Sequence, residues 1–314
     1  MVDILSSQDI GYTVMARQNT EDRQTDSIAY KDQTPAQILE LMLTAQLDAA
    51  RCVAACMSQI EQGAHLMAQT VRAGGRLFYC GAGSSGLMAM ADSLELPGTF
   101  GIDAGQIQVL LAGGTDTLSR LSGAPDDDVE SADAAVHKVE PGADDCLICV
   151  SASGSTAYTL RVQHLARDRK TPTISLASNP ESALLQAADV PILLPTPPEV
   201  VAGSTRLGAG TAQKIALNMM STLMASLLGH VYDGHMVNVR VDSKKLHHRA
   251  LGIVTDLCGC SAAQASECLT LANGEVKLAV LLASGCSNVD SAAACLEDSL
   301  GDLGGALALL QAKL

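Results

Sequence analysis

Two hydroxyl-rich runs supply residues whose types and spacing could hold an anion. Gly81-Ala82-Gly83-Ser84-Ser85-Gly86 follows the apolar run Leu77 to Cys80, and Ser151-Ala152-Ser153-Gly154-Ser155-Thr156 follows Cys146 to Val150; each opens a helix-like segment. Small residues let backbone N–H groups approach a phosphate, the hydroxyls donate to its oxygens, and a helix N-terminus adds positive potential. The first run is not a dinucleotide fingerprint, since its glycines do not fit G-x-G-x-x-G, and without a Lys it is not a Walker loop. Singly, each run reads equally as a tight turn with helix-capping hydroxyls. Together, at equivalent strand-to-helix positions, they predict one phosphate held by Ser84, Ser85, Ser151, Ser153, Ser155 and Thr156, with Gly83 giving close backbone approach to the substrate.

Carboxylates nearby could move protons. Glu95 sits in Ser93-Leu94-Glu95-Leu96-Pro97, read as the end of a helix from Ser85 to Leu96 that closes before Pro97. Asp126-Asp127-Asp128 precedes a helical pattern from Asp126 to Val139, where negative charge suits a helix N-terminus. A second Gly-rich stretch, Ala202 to Gly210, opens a long helix from Thr211 to Gly229 whose Ala, Met and Leu suit a buried dimer helix. Lys244, Lys245, His247 and His248 form a basic cluster, read as a solvated turn or as a segment reaching a neighbouring subunit's site. Cys258 and Cys260 near His247 fit no common zinc spacing.

The elements that must position these groups alternate. Strands are expected at Leu77 to Cys80, Ile107 to Leu111, Cys146 to Val150, Thr173 to Leu176 and Val190 to Leu194, with helices also at Thr156 to Arg169 and Glu181 to Ala187. That order implies an α/β fold, a doubly wound parallel five-stranded sheet flanked by helices, with ligands at the carboxyl ends of the strands. Residues 1–34 read as an irregular arm, 35–235 as the main domain with its N-terminal helices (Thr34-Pro35 is a good cap), and 236–314 as the basic segment plus a small helical bundle split at Gly274, Gly285 and Gly301.

Composition excludes several classes. A net charge of -14 argues against nucleic acid, whose backbone is bound by clustered Lys and Arg. Aromatic residues are 2%, so the core is built from aliphatic side chains and Met. The start has neither the basic nor the apolar region of a secretory leader, and no run of about 20 apolar residues suggests a membrane span. The ten cysteines, several in apolar strings, suit a reducing compartment, so a cytoplasmic protein is expected.

The pairing of the two hydroxyl runs resembles the sugar isomerase (SIS) fold, which binds phosphosugars. Within it the chain is similar to the N-acetylmuramic acid 6-phosphate etherase family along nearly its whole length, through Gly74 to Tyr79, Gly81 to Gly86, Ser93 to Pro97 with Thr99-Phe100-Gly101, Ala112-Gly113-Gly114, Glu199 to Arg206, Ala209 to Lys214, Lys245-Leu246-His247 and Gly259-Cys260. Thr20-Glu21 also has a counterpart, and the Glu199 to Lys214 segment is a signature shared with the glucokinase regulatory protein. The resemblance implies a phosphorylated amino sugar, N-acetylmuramic acid 6-phosphate, as substrate, split at its lactyl ether into N-acetylglucosamine 6-phosphate and D-lactate by a carbon-oxygen lyase needing no metal or redox cofactor. It implies Glu95 as proton donor, Glu199, Ser204, Thr205, Lys245 and His247 among the substrate-binding residues, and a homodimer with sites near the subunit interface. At three positions the chain differs: Ser122 stands where the family has a second acidic residue, Gly208 where the signature has Lys, and Leu87 where the etherases have Arg. Asp126, Asp127 or Asp128 could supply the second proton role, or Glu95 could act twice. A non-catalytic phosphosugar-binding regulator and an aldose-ketose phosphosugar isomerase are the alternative readings.

Overall fold

The computed structural model describes residues 19–23, 32–119, 124–239, 241 and 244–312. Five short strands form one parallel sheet: β1 (Leu77–Gly81), β2 (Ile107–Leu111), β3 (Cys146–Val150), β4 (Thr173–Ala177) and β5 (Val190–Leu193), in the order β2-β1-β3-β4-β5. β1, β3 and β4 are buried throughout, as continuous apolar runs covered on both faces must be. The chain steps from β1 to β2 on one side and later returns to place β3 on the other. This reversal opens a crevice at the carboxyl ends of β1 and β3, where doubly wound sheets bind ligands. Gly81 pairs in register with Val150, so the two hydroxyl runs leave neighbouring strands side by side.

Helices α1 (Pro35–Cys52), α2 (Met57–Arg72), α3 (Gly83–Phe100) and α7 (Gly208–Leu227) lie toward one face. Met67, Tyr79, Ile148, Leu96 and Met220 meet there in one core. Helices α4 (Val129–Val139), α5 (Ala157–Asp168) and the single turn α6 (Ala183–Gln186) cover the other face, over Phe78, Cys149, Val136, Val162 and Leu184. Thr34 caps α1 through the Gln37 amide with Pro35 as its first residue, as read from the sequence.

Several boundaries differ from expectation. α3 does not close before Pro97 but runs through it to Phe100, because Leu96 and Phe100 are buried and anchor its last turn; Gly101, at φ 65°, ends it with its N–H on the Pro97 carbonyl (3.0 Å). α4 starts at Val129, after a short 3-10 turn at Ala124–Asp127, since Asp128 caps it. α7 starts at Gly208, ahead of Thr211, and is enclosed by α1, α2 and α3 of its own chain, so its apolar residues already serve an internal core. Thr20, expected in an arm outside the core, is buried in a 3-10 turn at Asn19–Glu21.

Beyond a small hairpin, β6 (Val231–Tyr232) and β7 (His235–Met236), helices α8 (Lys244–Cys258), α9 (Ala262–Leu271), α10 (Val276–Ala283), α11 (Val289–Asp298) and α12 (Leu303–Gln311) build a bundle with its own core of Ile253, Leu269, Leu281 and Leu303. The breaks fall at Gly274, Gly285 and Gly301 as expected. The basic cluster is not a turn: Lys244 to Arg249 form the start of α8, whose apolar Ala250, Ile253 and Val254 pack inward.

Candidate functional site

The first hydroxyl run closes around glycines. A Cβ on Gly86 would lie 2.9 Å from the Gly81 carbonyl carbon and 2.5 Å from Leu111, so the first turn of α3 sits directly on the end of β1. No side chain caps α3 at Ala82. The second run is held by Ser151, whose buried hydroxyl lies 2.8 Å from the Thr156 hydroxyl and accepts from the Gly154 N–H (3.1 Å). Gly154 takes φ 67°, and a Cβ there would meet Ser182 at 2.4 Å. No side chain caps α5 at Thr156 either. Two helix N-termini with uncapped first-turn amides therefore open side by side into the β1/β3 crevice, the arrangement an anion requires.

The expected phosphate ligands divide into two kinds. Ser84, Ser153 and Thr156 are half-buried and Ser155 is exposed, so these reach the crevice surface. Ser85 and Ser151 are buried; Ser85 accepts from the Gln213 amide (3.1 Å), which ties α3 to α7, and Ser151 organises its own loop. Behind the second loop, Asn179 donates to the Ser153 carbonyl (3.0 Å) and to the Thr20 hydroxyl (3.4 Å), while the Gly203 N–H donates to the Thr20 carbonyl (3.2 Å). Among the described residues, Ser178 Oγ, Asn179 Oδ1, Ser182 Oγ and Gln213 Oε1 are buried oxygens without a hydrogen-bond partner. All four border the two loops, as polar groups at a ligand site would.

Glu199 was expected to touch substrate, but its buried carboxylate accepts from the Gly208 and Ala209 N–H groups (2.9 Å each) and caps α7. The N-terminus of α7 is thus already satisfied within the chain. A Cβ on Gly208 would lie 3.1 Å from Glu199 Oε2 and 3.2 Å from the Ala49 Cβ, so the capped carboxylate and a side chain at 208 compete for one space. Ser204 and Thr205 are half-buried in the turn that precedes this cap. Lys245 and His247 are exposed on α8, which packs on α9 and α10.

Of the acidic residues after β2, Asp126 comes to the crevice: a Cβ on Gly83 would lie 3.7 Å from its Oδ2. Burial, and then the neighbouring Asp127, push its carboxyl above the usual range, which suits a proton carrier. Asp127 is exposed, and Asp128 accepts from the Ser131 N–H (2.9 Å) as the cap of α4. Ser122 lies outside the described residues.

Glu95 is on α3 as expected, but exposed and twelve residues beyond Gly83, about 18 Å along the helix axis at 1.5 Å per residue. It therefore stands apart from the cradle of its own chain. One turn earlier Asp92 is buried, and it accepts from Asn218 Nδ2 (2.7 Å), the Ser221 hydroxyl (2.9 Å) and the Tyr79 hydroxyl (3.1 Å). Burial raises its pKa and these three donors oppose the rise. The network locks α3 to α7 and β1 directly beneath Glu95. Sequence reading missed Asp92, Asn179 and Gln213; a polar residue interrupting an otherwise apolar helix was the available signal for Asp92 and Gln213.

Residues 45–178 match the SIS domain, and residues 233–297 match the C-terminal lid domain of glucokinase regulatory protein. The chain is 38% identical over 263 residues to the N-acetylmuramic acid 6-phosphate etherase of Geobacillus thermodenitrificans (strain NG80-2), covering 84% of this chain and 89% of that protein. It is 32% identical over 295 residues to the etherase of the same description from Actinobacillus pleuropneumoniae serotype 7 (strain AP76), covering 94% and 97%. Among solved structures, a phosphoheptose isomerase from Francisella tularensis superposes with a TM-score of 0.49 at 19% identity, over 62% of this chain and all of that one. Among the described residues, no helix is long and apolar enough to cross a membrane.

Proposed function

The chain belongs to the N-acetylmuramic acid 6-phosphate etherase family, and from that premise we propose that it cleaves the D-lactyl ether of N-acetylmuramic acid 6-phosphate, with the phosphate seated between α3 and α5. The observation that carries this reading is the pair of helix N-termini, uncapped by side chains, leaving adjacent parallel strands. Ser84, Ser153, Ser155 and Thr156 donate to the phosphate oxygens, and Ser85 and Ser151 hold the two loops in shape.

The chemistry is that of a carbon-oxygen lyase. In the open-chain sugar the carbon-2 hydrogen is acidified by the adjacent aldehyde. A base takes that proton, the electron pair forms the carbon-2 to carbon-3 double bond, and the carbon-3 to oxygen bond breaks. A carboxylic acid protonates the departing oxygen, which leaves as D-lactate, and water then adds at carbon 3 while carbon 2 regains a proton. Each transfer needs a group within hydrogen-bond reach. Asp126, raised by burial at the lip of the cradle, takes one proton role, and Glu95 the other.

The length of α3 decides how Glu95 can take part. A carboxylate about 18 Å from the cradle cannot serve its own chain's phosphosugar, so the complete site combines the cradle of one copy with Glu95 of a second. Exposed apolar side chains support such a partner: Leu94, next to Glu95, is 64% exposed, and on α1, which like α3 packs on α7, Leu39 is 66% and Leu43 61% exposed. Lys245 and His247, exposed at the start of α8, are assigned on this reading to the site of a neighbouring copy. Residues 236–314 then act as a separate helical unit beside the 35–235 phosphosugar domain. The compartment is the cytoplasm, in keeping with ten free cysteines.

The test pairs equilibrium binding of N-acetylmuramic acid 6-phosphate with an enzymatic assay for released D-lactate. The native protein should bind and release lactate, and Glu95→Gln should bind without releasing it. Binding by the native protein with no lactate would favour a phosphosugar-sensing protein, which needs the cradle alone. No binding at all would remove both readings.

A further inference from the structure

At the opposite end of α3 from the cradle, about 26 Å away at 1.5 Å per residue, a cavity of about 560 Å³ lies between Gly101, the Val237–Val239 segment that follows β7 and the C-terminal bundle. Its size is that of a small-molecule site. Lys277, in the first turn of α10, faces it, and its ammonium donates to the Gly301 carbonyl (2.8 Å). Among the described residues no carboxylate lies within ion-pair distance of it. Burial brings its pKa down to about 8, although the Asp302 carboxylate pulls the other way, so the ammonium is under-compensated.

The surroundings define what would compensate it. Asn238 donates to the Phe100 carbonyl (2.9 Å), fixing the turn after β7 against the end of α3, and Gly101 permits that approach, since a Cβ there would meet the Asn238 carbonyl oxygen at 2.2 Å. Val237, Val239, Val276 and Leu296 give apolar walls. Nearby His230 is held neutral, its pKa brought down to about 4 by burial and then by Lys277 itself, so it adds no second cation. Glu275, exposed at the rim, disfavours a dianion such as phosphate. Among the described residues one cation, apolar walls and the carboxylates of Glu275 at the rim and Asp302 near Lys277 favour a singly charged ligand with a small apolar body.

We propose that this cavity binds a small organic carboxylate on Lys277, as a second site separate from the phosphosugar cradle. The ligand would join the bundle to the end of the helix that carries Glu95. The inference does not depend on the reaction proposed above.

The experiment is calorimetric titration of the full chain with acetate, D-lactate and inorganic phosphate, against chloride at matched ionic strength. The native protein should bind one equivalent of acetate or D-lactate. Lys277→Met should weaken this at least tenfold, Lys277→Arg should retain it, and the cradle variant Gly154→Ala should leave it unchanged. Should Lys277→Met fail to fold, labelling of the native protein with an amine-reactive reagent at pH 8, mapped by mass spectrometry, decides instead. Lys277 should then be protected by acetate and D-lactate, while exposed Lys244 is not. The proposal is overturned by absence of saturable carboxylate binding, by binding that survives Lys277→Met, by phosphate binding at Lys277 in preference to carboxylate, or by labelling that carboxylate does not slow.

Discussion

At its first turn α3 is enclosed: Gly86 lies against β1, Ser85 is tied to Gln213, and the second hydroxyl loop stands alongside on the next strand. Three turns further on, the same helix presents Glu95 and Leu94 to solvent. The cradle is pre-shaped by backbone geometry, whereas at the carboxylate end a buried network, Asp92 with Tyr79, Asn218 and Ser221, supports an exposed Glu95. On the reading proposed above, binding is a property of the monomer fold and catalysis a property of an assembly.

The sharpest way to separate the two ends is Glu95→Gln. Loss of a general acid or base costs roughly 10²- to 10⁴-fold in rate, so lactate release should fall by that factor while phosphosugar affinity, measured by calorimetry, stays within a few fold. A fall in affinity with unchanged turnover would reverse the assignment. Next in size is Gly154→Ala, where a Cβ would collide with Ser182 at 2.4 Å and the φ of 67° penalises an L side chain. It should weaken phosphosugar binding tenfold or more; unchanged affinity would show that the second loop does not hold the phosphate.

Asp92→Ala leaves the buried Tyr79 hydroxyl and the Asn218 amide without their acceptor, and the Ser221 hydroxyl with only its longer bond to the Asn218 carbonyl (3.3 Å). It should cost about 1–3 kcal/mol in denaturant unfolding and lower turnover more than affinity. The smallest effect lies at neither end. Asp145, at the start of β3, accepts from the Arg76 side chain (2.8 Å to Oδ2) and the Arg76 and Gly142 N–H groups; burial pushes its carboxyl up, but these donors outweigh it and hold the pKa below the usual carboxylate range. A depressed folded pKa contributes stability that is present above the unfolded value and lost as pH falls through the folded one. Asp145→Asn should therefore cost about 1 kcal/mol at neutral pH, with the gap to the native protein narrowing as pH falls below about 4 in urea unfolding.

Much of the cradle was legible because it is backbone chemistry: glycines and hydroxyls immediately after apolar runs mark strand ends that open helices, and Leu77, Cys146 and Thr173 begin strands where the runs begin. Exposure was not legible. The separation of about 18 Å from Gly83 to Glu95 follows once a helix over Ser85 to Leu96 is read, but that Glu95 faces solvent while buried Leu96 and Phe100 carry α3 on through Pro97 is seen only in the structure. Glu199 shows a second limit, since a carboxylate in a motif that resembles a substrate-binding segment serves equally to cap α7, and the choice depends on how closely Gly208 lets it approach. Asn179 and Thr20 are 159 residues apart in the chain, and no local pattern announces that they share a hydrogen bond behind Ser153.

The most direct test of a site shared by two copies is complementation. Glu95→Gln keeps its cradle and lacks the carboxylate, Gly154→Ala has the carboxylate and a damaged cradle, and each alone should release little lactate. Co-expressed in equal amounts, they should form mixed dimers carrying one intact site each, restoring about a quarter of the native activity on statistical assembly. No recovery from mixed dimers whose formation has been verified would contradict the account, because Glu95 would then act within its own chain or not at all.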